Sequence, residues 1–105
     1  MANIHKRSDL GQAGSMYTKA SSVAITPPEG AVFVAITALS NATTFDTASG
    51  LVADDSGLFI NSEAASGGTG GLVSDGMSLF AGTTIYGRWT EIDVLAGDVI
   101  AYIGA

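Results

Sequence analysis

The chain of 105 residues has no cysteine, one histidine, two prolines and only four basic residues. Each shortage removes a class of function. Without cysteine there is no disulfide framework and no thiolate metal site. His5, the one imidazole, stands in a stretch with no surrounding core to orient it. It is therefore not expected to act as the base of a Ser-His-Asp arrangement or as a metal ligand. Ten acidic residues against four basic ones give a net charge of −6, the wrong sign for a nucleic-acid-binding face. Charged residues of both signs make up only 13% of the chain, about half the usual share. Long apolar runs are missing as well. The longest, residues 31–39, is interrupted by Thr37 and is too short for a membrane helix. The opening MANIHKRSDLGQAG has no apolar stretch of the secretory kind. Neither nucleic acid nor membrane is expected as a partner, and synthesis in the cytoplasm, or export without a recognisable Sec signal, is.

What is present is apolar, small and turn-rich. Apolar residues make up 47% of the chain and glycine contributes fourteen positions. Short apolar segments alternate with Ser, Thr, Asn and Gly, which is the pattern of an all-β domain. Residues 82–104 hold the one Trp and two of the three Tyr in a β-branched setting. They read as two antiparallel strands, 83–94 and 99–103, joined by a turn at Gly97, with Asp98 positioned to bond nearby backbone. Residues 31–39 are apolar on both faces and predict a central strand. Shorter strands are expected at 22–26, 43–47, 51–53, 58–61 and 78–81. Pro27-Pro28 ends the first of them, because proline cannot donate to a ladder. The run 66–71 reads as an exposed loop. Seven or eight strands spaced about ten residues apart predict a small antiparallel β-sandwich or jelly-roll-like domain over 22–105. Residues 1–21, broken by Gly11 and Gly14, predict an extended N-terminal arm. Trp89, Ile92, Val94, Ile100 and Ile103 are the expected core.

Little in the chain points to chemistry, and no enzyme is expected. Glu91 and Asp93 are two apart on an expected strand, which places them on one face. Acid–base work would need one of them buried, and the sequence around them reads as a solvent face. Asp54, Asp55 and Asp75 are oxygen donors of the kind calcium prefers, but their spacing fits no EF-hand and Asp-Asp-Ser-Gly is also a good turn. The glycines at 67–71 lack the Lys-Ser/Thr ending of a phosphate loop. No cofactor is expected. Arg88 is alone among nine acids beyond Ala20, so it is expected to pair with a carboxylate across a strand or across a subunit boundary. Exposed Tyr86 beside it could offer a sugar a flat face. Lys6, Arg7 and Lys19 make the start of the chain basic against an acidic body, which favours docking of the arm on a neighbouring copy. A surface of Ser, Thr, Gly and Ala is cheap to desolvate and suits burial against other subunits.

Ile85-Tyr86-Gly87-Arg88-Trp89-Thr90, followed by a Gly-Asp turn and Val99-Ile100-Ala101-Tyr102-Ile103-Gly104, resembles the C-terminal part of small virion proteins of tailed bacteriophages. The resemblance covers roughly the last quarter of the chain. It implies a non-enzymatic structural protein of the virion: a capsid decoration (cement) protein, or a component of the tail or fibre apparatus that binds a host-surface carbohydrate or receptor. The implied partners are the major capsid protein or other virion proteins. The expected assembly is a homo-oligomer, a trimer first, with Lys6, Arg7, Lys19, Tyr86 and Arg88 at subunit contacts.

Overall fold

The structure, a computed structural model, describes residues 13–47, 49–55, 57–62 and 69–105. The expectations for His5, Lys6 and Arg7, and for the loop up to residue 68, lie outside the described residues. The described chain is all-β. Its strands are β1 (Ser15–Lys19), β2 (Val32–Ala38), β3 (Thr44–Phe45), β4 (Leu51–Ala53), β5 (Thr84–Ile92), β6 (Val94–Ala96) and β7 (Asp98–Gly104), with one 3-10 turn at Ser74–Gly76. Five strands form an antiparallel sheet in the order β1-β7-β2-β5-β4, and β3 pairs with β6 in a second, two-stranded sheet.

The central position of β2 follows from its composition. A strand of Val, Phe, Ala and Ile on both faces loses least where both faces are covered or flanked, and it lies between β7 and β5. Phe33, Ile36 and Ala38 of β2 are buried with Trp89 and Ile92 of β5 and with Val99, Ala101 and Ile103 of β7. Phe45 and Val94 of the small sheet close the same core from the other side, with Leu79 bridged to Thr43, and Leu51 of β4 joins it from the large sheet. Two antiparallel layers thus share one apolar interior, the sandwich arrangement expected from the strand spacing.

Four details depart from the sequence reading. First, the expected hairpin at Gly97 is not one. β5 and β7 are not neighbours, because β2 lies between them. After β5 the chain crosses at Asp93 into the second sheet as β6, then turns at Gly97 (φ 85°) and drops back as β7. The positive φ suits glycine, and a Cβ there would run into the Thr43 side chain. Second, Glu91 and Asp93 do not share a strand face, since the chain changes sheets at Asp93. Third, Ile100 is only half-buried while Val99 and Ala101 are fully buried. Successive residues of a strand point to opposite faces, and pairing of Val99 with Ala38 puts the odd-numbered residues of β7 inward. Fourth, Ser15–Lys19, within the segment read as an arm, is a strand paired along β7. The expected strand at 22–26 is reduced to a single bridge between Ile25 and Ile92, and 78–81 to one between Leu79 and Thr43. Residues 58–61 form no strand.

Trp89 fixes the centre of this core. It lies between Phe33 on β2 and Ala53 on β4 in register, and its Nε1 donates to the Ile60 carbonyl oxygen at 3.0 Å. A Cβ on Gly87 would stand 2.7 Å from the indole Cζ2 and 2.9 Å from Cη2. The ring is fully buried and held by its N–H, so it cannot swing aside. Gly87→Ala is therefore expected to destabilise the fold by about 1–3 kcal/mol, the usual cost of overpacking. Gly76→Ala, which meets open space, is expected to stay within about 0.5 kcal/mol of the parent. Urea or thermal denaturation followed by circular dichroism checks both.

Candidate interaction face

One face of the five-stranded sheet covers the core, and the opposite face is not covered by the second sheet. Residues directly opposite in an antiparallel pair share a face, so the register defines what the outer face carries. One row runs Tyr17, Ile100, Thr37, Thr84 across β1, β7, β2 and β5. The next runs Ser15, Tyr102, Ala35, Tyr86. All three tyrosines of the chain therefore lie on one side of one sheet. Tyr86 is 69% exposed and Tyr17 56%, whereas Tyr102, Ile100, Thr37 and Thr84 are half-buried. Ala35, flanked by Tyr102 and Tyr86, is buried. Those two tyrosines sit two strand spacings apart, about 10 Å between Cα atoms. Tyr17 is a diagonal neighbour of Tyr102, about 7–8 Å away.

The polar groups of this face are largely satisfied within it. Thr37 Oγ1 and Thr84 Oγ1 share a hydrogen bond of 2.8 Å. The Tyr17 hydroxyl donates to Asp98 Oδ2 at 2.9 Å, and Ser40 Oγ donates to Asp98 Oδ1. The Asp98 carboxylate thus binds two side-chain hydroxyls, where turn chemistry alone pointed to backbone. Lys19 lies opposite Asp98 in the β1–β7 register. Toward the other end, Arg88 Nε bonds Asp54 Oδ2 at 2.9 Å and its Nη1 donates to the Ala105 carbonyl oxygen at 2.6 Å. This is the cross-strand member of the two pairings expected for Arg88. Both side chains are about one-third exposed, at 38% and 32%, so water screens the pair and it contributes about 0–1 kcal/mol.

Of the residues singled out in the sequence, Lys19, Tyr86 and Arg88 are brought to this one sheet. Tyr17 and Tyr102 were missed. For Tyr17 a signal existed: Ser15, Tyr17 and Lys19 alternate with Met16 and Thr18, which is period 2 over five residues.

The remaining chemistry is sparse. Asp54 is engaged by Arg88, and Asp55 Oδ1 accepts the Gly57 N–H at 3.0 Å to close its own turn. The side chain of Asp75 lies outside the described residues. Among the described residues no three His, Cys, Asp or Glu side chains gather as metal ligands, and no helix is long and apolar enough to cross a membrane. Ser74 Oγ is buried without a hydrogen-bond partner. A hydroxyl with no hydrogen-bonded base among the described residues is not an activated nucleophile. Compared with protein-family models, curated proteins and solved structures, the chain matches none.

The Tyr17–Asp98 contact is open to direct measurement. The hydrogen bond to Asp98, with some desolvation and the Asp98 charge, raises the Tyr17 pKa above its ordinary value of 10.0. Folding therefore favours the protonated phenol. The stability this contributes is complete below pH 10.0 and is lost as pH rises through the raised folded-state value. Ring-carbon NMR titration is expected to show Tyr17 ionising above the ordinary tyrosine range, and Asp98→Asn is expected to bring it down.

Proposed function

We propose that this chain is a non-enzymatic structural subunit of a virion, a capsid decoration protein that stabilises a phage head by packing against shell subunits and against copies of itself. The observation that supports this most is the amount of apolar side chain left outside a well-filled core. Val23, Leu58, Leu72, Phe80 and Leu95 are exposed on loops and strand ends, and Tyr17 and Tyr86 are exposed on the open sheet face. Charged residues are too few to dilute them. Exposed apolar side chains on a charge-poor surface suit contact with other proteins. The mechanism is mechanical: a ligand that binds the closed shell more tightly than the opened one raises the temperature at which the shell fails. Many modest contacts repeated over a lattice act together. The likeness of residues 85–90 and 99–104 to small phage virion proteins supplies the virion context.

The tyrosines favour a second reading, a tail or fibre-associated module that binds a host-surface carbohydrate. Tyr86 and Tyr102 flank buried Ala35, and Tyr17 stands in the next row with Thr37 and Thr84, whose hydroxyls lie beside Ala35 and Tyr86. Flat aromatic groups with a few polar neighbours are what a neutral sugar chain needs.

Heating particles stripped of the protein, and the same particles after re-addition, separates the two. Stripped heads are expected to open at lower temperature, with recovery on re-addition. No binding to heads and no change in opening temperature would sink the decoration reading. Under the carbohydrate reading, Tyr86→Ala and Tyr102→Ala are each expected to weaken glycan binding about 2- to 12-fold, with head stability unchanged.

A further inference from the structure

The two edges of the five-stranded sheet are finished differently. β4 is only three residues long, and its outer side is closed by Ser62, whose N–H donates to the Leu51 carbonyl oxygen at 2.9 Å. β1, at the other edge, is five residues long and pairs with β7 in an unbroken register. Within Ser15–Lys19 it has no proline and no register shift, and one terminal lysine is its only charge; the irregularity lies just before it, where Ala13 and Gly14 both bond Ile103 and Gly14 takes φ 126°.

The phase of the β1–β7 ladder shows which groups remain for a partner. The Ala20 N–H donates to the Gly97 carbonyl oxygen at 2.9 Å, and the Ile103 N–H donates to that of Gly14 at 2.8 Å. Peptide groups alternate direction along an antiparallel strand. Those of Met16, Thr18 and Ala20 and the Gly14 carbonyl therefore face β7, with Ala13 supplying the N–H to the Ile103 carbonyl oxygen at 3.3 Å, and those of Ser15, Tyr17 and Lys19 face away. The Lys19 carbonyl oxygen also takes the Ser22 N–H at 3.2 Å, which leaves its second lone pair.

We propose that a second copy of the chain pairs antiparallel with β1 about a two-fold axis through Tyr17. The outward set Ser15, Tyr17, Lys19 is its own complement under that operation. Ser15 meets Lys19 of the partner subunit, Tyr17 meets Tyr17 of the partner subunit, and each facing pair exchanges two backbone hydrogen bonds. Charges agree with the register, since each Lys19 faces a serine and no like charges are opposed. On the core side Met16 comes opposite Thr18 of the partner subunit. On the outer side the two tyrosine faces become one. The contact is isologous and closes at two copies, with no free β1 edge left to propagate a fibre. A five-residue strand buries far less than the roughly 800 Å² per partner of a standard stable interface, so the dimer is weak and concentration-dependent in free solution.

The inference goes beyond the structural role proposed above, and its readout is separate: assembly in solution, not shell stability. Sedimentation velocity of the full chain over a range of concentrations is expected to show a monomer–dimer equilibrium. Tyr17→Pro removes an outward donor that the β7 ladder does not use, so it is expected to give a folded monomer by circular dichroism. Ser15→Lys, which sets two lysines against lysines across the axis, is expected to weaken the dimer about 2- to 30-fold. Ser15→Glu, which sets a glutamate against each Lys19 across the axis and faces only Tyr102 within the chain, is expected to tighten it. A monomer at every concentration overturns the inference. So does a dimer whose dissociation constant is moved by neither charge variant.

Discussion

The placement of the Trp89 indole is the constraint on which the rest of the fold depends. The ring is the largest side chain sealed from solvent, and it sits where β4, β5 and β2 run side by side. Room for it comes from two small residues, Gly87 on its own strand and Ala53 opposite. Phe33 faces it from β2. Its one polar atom is satisfied by a loop carbonyl, that of Ile60, which ties the segment after β4 down onto the sheet. A buried indole without such a partner would cost the desolvation of its N–H. Volume, register and hydrogen bonding therefore meet at one side chain.

From that centre the path of the chain follows. Once β5 is placed beside β2, the apolar β7 finds its partner on the other flank of β2, and the connection must pass over the strand between them. The crossing is made by β6, whose Val94 and neighbouring Phe45 on β3 cap the core. The second sheet is thus little more than a two-stranded cover over one face. Among the described residues no strand covers the opposite face, which carries the three tyrosines. The open face follows from the topology of the described strands, since two of the seven cover one side of the five-stranded sheet and none is left for the other.

The exterior is consistent with a chain that works by contact. Two of the charges on the sheet are engaged at its margins, Arg88 with Asp54 at one end and Asp98 with Tyr17 and Ser40 at the other. Between them lie hydroxyls, methyl groups and aromatic rings. An edge with a self-complementary set of peptide groups adjoins that face, so pairing through β1 would widen the aromatic surface without covering it. A shell-bound subunit and a face turned outward toward sugars are compatible on this geometry, because loop tips, sheet edge and sheet face are separate surfaces.

Composition and local pattern by themselves determined the fold class, the central place of residues 31–39, and the inward direction of Trp89, Ile92, Val94 and Ile103. These are local properties: β-branched content, turn residues and side-chain alternation act within a few positions. Which strands are neighbours was decided only by the tertiary structure, since a turn at Gly97 is compatible both with a hairpin and with a drop from one sheet to the other. The face taken by Ile100 was likewise decided by pairing. β2 is apolar at nearly every position, so its register shift between Phe33 and Ala35 leaves no trace in the alternation. Tyr17, Tyr86 and Tyr102, far apart in sequence, became one surface because hydrogen-bonded registers between distant strands set their rows, and such registers are a property of pairs of strands that no single segment carries.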